Sequence, residues 1–275
     1  MQKLISLSIV TYKTSPEELN RVYRSIDLID ANWKLFIVDN SETNELGQLF
    51  VNDSRVKYIF NNSNLGFGRA HNIAIEKAIL EGIKYHFIVN PDIYFLKDIA
   101  CPMIRMIEKD DSIGMIMPKV LNDDGSIQFL PKLLPTPASL ILRKLKKPRF
   151  YYDKFIRRYE LRNVNENLTY NTPILSGCFT LLNLQAIKAI GSFDDSYFMY
   201  FEDWDLSRRM HKHYKTLYFP DVEVFHGYES GANKSPKLFK IFLTSAIYYF
   251  NKWGWFFDPE RKVMNENTTM QFKDL

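Results

Sequence analysis

Three stretches of the chain carry side chains whose type and placement could do chemistry on a charged substrate. Asp92, in Asn90-Pro91-Asp92, follows the apolar run His86-Phe87-Ile88-Val89. A carboxylate leaving a buried strand, with a proline fixing the chain beside it, is placed to hold a hard cation through oxygen. Capping of the next turn accounts for it equally well. Farther on, Glu202, Asp203 and Asp205 put three carboxylates into four residues beside the aromatic stretch Phe198-Met199-Tyr200-Phe201. Such crowding needs a cation, a proton or a basic neighbour to offset it. The same acids also suit the first turn of a helix, where the dipole favours them; on that helix Glu202 and Asp205 share a face while Asp203 and Asp205 diverge. His226 ends the run Asp221-Val222-Glu223-Val224-Phe225. A lone histidine is commonly structural, but at a strand end it complements Asp92 in a mixed oxygen and nitrogen set suited to Mg2+ or Mn2+, with positions left for phosphate oxygens and water.

Between a strand and a helix lies Asn61-Asn62-Ser63-Asn64-Leu65-Gly66-Phe67-Gly68-Arg69-Ala70-His71-Asn72. It has the outline of a dinucleotide fingerprint, but His71 stands where the last small residue should, and the segment follows the third strand, not the first. What remains is a backbone able to approach a ligand closely, at a helix N-terminus with Arg69 nearby, which favours a diphosphate. The competing reading is a tight turn with positive φ at Gly66 or Gly68. No Gly-x4-Gly-Lys loop, His-Glu-x2-His or Gly-x-Ser-x-Gly occurs, which argues against the commonest nucleotidase, zinc protease and serine hydrolase chemistries.

The elements that must hold these residues alternate over residues 1–120. Strands are expected at 4–10, 34–38, 55–60 and 86–89, with helices at 16–29 and 67–81. That alternation predicts an α/β fold with a mostly parallel sheet covered on both faces and ligands at the carboxyl ends of its strands. Residues 125–172 hold four prolines and the basic-aromatic run 143–152, and read as an insertion or lid. Order returns with a strand at 173–182 and a helix to about 190, then a helix at 203–213, a strand pair over 215–225 and an amphipathic helix at 236–253.

The chain has 275 residues, 46% hydrophobic and 25% charged, with 36 basic against 32 acidic side chains and a net charge of +4. This is globular composition with no dedicated nucleic-acid character. Cys101 and Cys178 lack metal-ligand spacing and read as reduced core thiols. The apolar run at 4–10 is too short for a signal peptide core, so a cytoplasmic location is expected. No run of about 18 apolar residues spans a bilayer, so any membrane contact is peripheral.

Seven segments in register, Ser8-Ile9-Val10-Thr11-Tyr12, Ile37-Val38-Asp39-Asn40-Ser41, Asn64-Leu65-Gly66-Phe67-Gly68 with Asn72, Asn90-Pro91-Asp92, Gly177-Cys178-Phe179, Phe193-Asp194 through Asp205, and His226, resemble family 2 glycosyltransferases of the GT-A fold. Within that family they are most similar to bacterial rhamnosyltransferases that build O-antigen and related surface polysaccharides. The resemblance implies a Rossmann-like catalytic domain over 1–235, with a nucleotide-binding half at 1–120, the insertion at 125–172 and an acceptor and catalytic half at 173–235. A helical extension follows at 236–275. It implies that Thr11, Tyr12, Asp39 and Asn40 hold the base and ribose of a nucleotide-diphospho-sugar, and that Gly66, Arg69, Asn72 and Asn90 line the rest of that pocket. Asp92 matches the last acid of the family's Asp-x-Asp metal motif, with Asn90 in place of the first, and His226 is the distal ligand of a divalent cation. Asp203, with Glu202 beside it, matches the catalytic base of an inverting displacement.

The donor implied is dTDP-L-rhamnose, with a uridine-diphosphate hexose or galactofuranose as the alternative. The acceptor implied is a saccharide on a polyprenyl diphosphate at the inner face of the cytoplasmic membrane. A non-catalytic module that binds nucleotide sugars or glycans is the reading from a different class, and retention of Asp92, Asp203 and His226 in one chain speaks against it. The basic run at 143–149 and the helix at 236–253 could both lie on anionic headgroups. For the helix, packing on the catalytic domain or on a second subunit is the favoured expectation.

Overall fold

Strands covered on both faces read as continuous apolar runs, and the computed structural model, which describes residues 3–227 and 235–273, builds its sheet from them. The order along the chain is β1 (Leu4–Thr11), α1 (Pro16–Ile26), β2 (Asn32–Asp39), β3 (Val56–Phe60), α2 (Phe67–Leu80), β4 (Tyr85–Val89), β5 (Ile93–Tyr94), α3 (Ala100–Glu108) and β6 (Ile113–Leu121). Then come α4 (Pro137–Leu145), α5 (Arg149–Tyr159), β7 (Tyr170–Asn171), β8 (Phe179–Asn183), α6 (Leu184–Ile190), α7 (Glu202–His213), β9 (Lys215–His226), α8 (Pro236–Trp253) and α9 (Pro259–Met270). The strands lie in the order β3-β2-β1-β4-β8-β6-β9-β5, with β7 against β9. β1, β2, β3, β4, β6 and β9 run one way, and β5, β7 and β8 run the other.

Side chains alternate between the two faces as the pleat requires. Leu35 and Ile37 of β2 join the core under α1 and α3, whereas Phe36 and Val38 join the core under α2, α6 and α7. A chain of fully buried polar side chains fastens α2 to the sheet. His86 is bridged by the hydroxyls of Ser6 at 2.7 Å and Ser8 at 2.8 Å, and Ser8 also meets His71 of α2 at 2.7 Å. Burial holds His86 neutral, its pKa pulled down to about 3, so the network is built from neutral rings.

The first half of the chain follows its sequence pattern closely; the differences fall later. The expected strand at 173–182 is confined to β8. Residues 215–226 form one strand rather than a pair, with a register break opposite Pro118 and Lys119. Pro220 falls in that break and has no N–H for the ladder. The region 125–172, expected as an insertion or lid, contains α4, α5 and β7. Cys178 is buried but Cys101 is only half-buried, with its thiol donating to the Asp30 carbonyl at 3.1 Å, which corrects the reading of both as core thiols.

α8 covers the expected span and packs on the segment ahead of α7, with Ala246, Tyr249 and Phe250 closing over Tyr197 and Phe201. α9 adds a clamp that sequence periodicity had not resolved. Its N-cap Asp258 accepts the Arg261 N–H at 2.9 Å and forms a bidentate pair with Arg208 of α7 at 2.7 Å for both bonds. Trp253 lies with its ring centroid 4.1 Å from that guanidinium. Among the described residues no helix is long and apolar enough to cross a membrane.

Candidate active site

Parallel strands release their ends at one edge of the sheet, and the candidate residues gather there. Thr11 ends β1 and pairs in register with Asp39, which ends β2. Asp39 is fully buried and accepts three hydrogen bonds from the protein: Thr11 Oγ1 and the Ser41 N–H, both at 2.9 Å on Oδ1, and the Tyr58 hydroxyl on Oδ2. Asn40 is similarly committed, donating to the Gly66 carbonyl at 3.1 Å and accepting from Asn61 at 2.8 Å. Asp39 and Asn40 therefore brace the loops of this edge. Tyr12 is the exposed member of the group, at 43%.

Gly66 adopts φ +85°, and a Cβ there would sit 2.1 Å from the Phe198 carbonyl oxygen. The neighbouring Phe67 N–H donates to that same oxygen at 3.0 Å. Gly66 thus approaches the protein's own backbone closely, in the positive-φ turn that the competing reading expected. Asn72 works on the same junction, bonding the Phe193 backbone through both ends of its amide at 2.8 and 3.0 Å and Asp195 at 2.8 Å. Arg69 stays exposed, 4.0 Å from Asp195. Gly66→Ala is expected to destabilise the fold by about 2 kcal/mol or more, since left-handed backbone alone costs an L-residue roughly 1–2 kcal/mol and the clash adds to it. Urea unfolding would measure this, and an unchanged midpoint would exclude the packing role.

The junction secured by Gly66 and Asn72 leads into α7. Tyr200 and Phe201 both occupy left-handed backbone, at φ 70° and 69°. Ser245 of α8 donates to the Met199 carbonyl at 2.8 Å, and Phe242 packs on both Tyr200 and Phe201. This turn delivers Asp203 to Gly177, whose N–H donates to Asp203 Oδ2 at 3.1 Å while the Trp204 N–H donates to Oδ1 at 2.9 Å. A side chain at position 177 would crowd Asp203 and Phe67, both 3.2 Å from its Cβ. Burial pushes the Asp203 carboxyl above its ordinary range, against the pull of those two N–H groups and of Lys132. Glu202 is buried, one of its oxygens has no hydrogen-bond partner, and burial followed by the Asp203 charge raises its carboxyl far above the ordinary range. Asp205 points elsewhere, to Arg209, Lys252 and the Trp253 indole, each at 2.8 Å.

A short path connects Asp203 to the other acidic cluster. Gly177 precedes Cys178, whose carbonyl accepts the Asn90 N–H at 2.8 Å. Asn90 Nδ2 lies 3.5 Å from His226 Nε2, and Asp92 Oδ1 lies 3.2 Å from that same nitrogen. Asp203, Asp92 and His226 are thus linked through residues 177, 178 and 90 at the carboxyl edge of the sheet.

The His226 tautomer follows from Gln128, a residue that sequence reasoning missed. Gln128 Nε2 donates to Asn122 Oδ1 at 2.7 Å and to the His226 carbonyl at 2.9 Å, so its other end, 3.0 Å from His226 Nδ1, is an acceptor. Nδ1 therefore carries a proton, and Nε2 is the ring nitrogen that faces the Asp92 carboxylate. Asp92 Oδ1 and Asn90 Oδ1 are buried and receive no hydrogen bond. Asp92 Oδ1 and His226 Nε2, 3.2 Å apart, are the pair that would hold a cation, with Gln128 as the outer partner that orients the ring. Among the described residues no group of three or more His, Cys, Asp or Glu side chains assembles as a metal cluster, so a cation here would take its remaining ligands from substrate oxygens and water. Lys132 is the other residue missed: it is buried, bonded to the Phe129 and Leu130 carbonyls at 3.2 and 2.9 Å, with its pKa pulled down to about 8 by burial.

Comparisons with known proteins agree with this architecture. Residues 6–191 match the model of glycosyl transferase family 2. The chain is 24% identical to N-acetylglucosaminyl-diphospho-decaprenol L-rhamnosyltransferase of Mycobacterium tuberculosis, over 98% of this chain and 92% of that one. It is 24% identical to rhamnosyltransferase WbbL of Escherichia coli K12, over 84% and 87%. Among solved structures, GalNAc-T7 with UDP, GalNAc and Mn2+ superposes with a TM-score of 0.62 at 15% identity, over 92% of this chain and half of the other.

Proposed function

This chain belongs to glycosyl transferase family 2, and from that premise we propose that it is an inverting, metal-dependent rhamnosyltransferase. The donor is dTDP-L-rhamnose, and the acceptor is a hydroxyl of a saccharide carried on polyprenyl diphosphate at the inner face of the cytoplasmic membrane, in surface polysaccharide synthesis of the O-antigen type. The observation that carries this reading is the convergence of Asp203 with Asp92 and His226 through Gly177, Cys178 and Asn90. Support for the sugar comes from the names of the two relatives, one of which acts on a diphospho-decaprenol acceptor.

In this reading Tyr12, exposed at the strand end, covers the base, and Thr11 and Asp39 brace the loop that carries it. Asp203 takes the proton of the acceptor hydroxyl as that oxygen bonds to the anomeric carbon. The bond from that carbon to the diphosphate oxygen breaks on the opposite face, and its electron pair leaves with the nucleotide. The Gly177 and Trp204 N–H groups fix the direction of the Asp203 lone pairs, and burial keeps the carboxylate more basic than one in water. Glu202 keeps its proton beside Asp203, so the two acids do not compete for the same proton. A divalent cation held by Asp92 and His226 would offset the negative charge that builds on the departing diphosphate.

The test is calorimetric titration of nucleotides with and without Mn2+, followed by product detection. The protein should bind dTDP and transfer from dTDP-rhamnose in preference to uridine-diphosphate hexoses. Asp92→Asn and His226→Ala should remove the Mn2+ dependence of nucleotide binding, and Gln128→Leu should weaken apparent Mn2+ affinity ~10- to 100-fold by releasing the ring. Equal Mn2+ response in all four proteins would overturn the metal assignment, and preferential turnover of a uridine-diphosphate sugar would overturn the donor.

A further inference from the structure

The basic run at 143–149 and the helix over Pro236–Trp253 lie far apart in the chain, but the fold sets them side by side. The Lys144 ammonium of α4 stands 4.1 Å from the centroid of the Phe239 ring of α8. On α4, Ile141 and Leu145 are one turn apart and exposed at 57% and 61%. On α8, Phe239, Leu243 and Ile247 recur every four residues and are exposed at 39%, 47% and 42%. Residues at that spacing share one helix face. Five large apolar side chains therefore lie exposed around the α4 and α8 contact, outside any core of the protein. Soluble proteins rarely expose contiguous apolar surface without a use for it.

The charge on this face selects the partner. Residues 136–152 contain five basic side chains and no acid, one of them, Arg143, 3.6 Å from Glu160. Residues 235–257 contain no acid and three basic side chains, of which Lys252 is turned away to Asp194 and Asp205 while Lys237 and Lys240 remain. A second copy docking the same face would set like charges against one another, as a two-fold interface demands. An anionic bilayer surface is complementary, with apolar side chains reaching the acyl boundary and lysines extending to the headgroups. We propose that the joint face of α4 and α8 is a docking surface for an anionic membrane. The side of α8 next to this face packs through Phe242 on Tyr200 and Phe201, whose rings lie 5.8 and 5.2 Å away. The docked face thus borders the turn that leads to Asp203. That proximity has its use if the acceptor is lipid-borne, so the purpose, though not the surface, rests on the function proposed above.

The experiment is co-sedimentation of the full chain with vesicles of phosphatidylcholine, alone or mixed with phosphatidylglycerol, with no sugar nucleotide or acceptor present. The protein should partition onto the phosphatidylglycerol vesicles and be released by salt. Each lysine near an anionic surface contributes about fivefold to partitioning, so Lys144→Glu with Lys240→Glu should lower it about 25-fold or more. Leu145→Ser with Leu243→Ser should lower it about tenfold, with melting temperature unchanged because both side chains are exposed. Partitioning equal to the parent protein in both variants would overturn the surface. So would a parent dimer that the variants convert to monomer while partitioning stays constant, since the face would then belong to a second copy. Failure of the parent protein to dock, with intact transfer to a water-soluble acceptor, removes this inference alone, whereas docking without transfer to any acceptor removes the function and leaves the surface.

Discussion

Asp203→Asn is expected to lower turnover ~100- to 10,000-fold, the range a positioned general base commonly contributes, while nucleotide binding persists. The side chain keeps its size, so the α7 turn and the Gly177 contact should survive, apart from one hydrogen bond lost where the amide nitrogen replaces an accepting oxygen. The pH profile gives a second readout. A carboxyl raised by burial holds its proton to a higher pH than one in water, and the base form is the unprotonated one. Activity should therefore fall as pH drops through a point above the ordinary carboxylate range, and this acidic limb should vanish from the residual activity of Asp203→Asn. Steady-state rates over pH 4 to 9, roughly the span in which carboxyl and imidazole groups titrate, would check both. Wild-type turnover in the variant would remove Asp203 from the mechanism.

The largest effect on stability is expected from Arg208→Met. Arg208 and Asp258 are each 2% exposed and bound to one another twice. Removal of one partner strands a buried charge, which typically costs about 3–5 kcal/mol, whereas replacement of both by apolar groups of similar volume is often neutral. Arg208→Met should therefore lower the urea midpoint sharply, and Arg208→Met with Asp258→Leu should recover most of the loss. A double variant as unstable as the single one would show that the pair acts through more than its mutual neutralisation, for instance through the Asp258 cap on α9. The same measurement bears on catalysis, because α7 carries Asp203 at its first turn and Arg208 one and a half turns later.

What could be read in the sequence tracks how local the cause is. β1, β2 and β4 announce themselves as apolar runs, and the residues that end them fall at one edge because parallel strands share a direction. Ser15-Pro16 and Ser235-Pro236 mark helix starts by capping chemistry, with the serine oxygens accepting the Glu18 N–H at 3.1 Å and the Lys237 N–H at 3.2 Å. The rest depends on contacts across the chain. Gln128 lies in a stretch with no periodic signal, and its task exists only because β9 brings His226 beside it. Asn72 has the composition of a ligand-binding residue, but the structure occupies its amide with the Phe193 backbone and Asp195. Arg208 and Asp258 look like ordinary solvated helix charges until α9 folds over α7. The two-residue strands β5 and β7 are too short to carry a pattern, and the prolines around α4 mask a helix that Thr136 caps through Ser139.

The paired left-handed residues Tyr200 and Phe201 have a consequence for how this protein divides into parts. Each sits in a backbone well that L-residues avoid, at a cost of order 1–3 kcal/mol apiece, and the ring of Phe242 and the hydroxyl of Ser245 hold that turn from outside. The last forty residues are therefore not a tail appended to a finished enzyme. Without the C-terminal helices the turn ahead of α7 loses its outer support, so chimeras that trade those helices between relatives are expected to shift the aim of the Asp203 carboxylate.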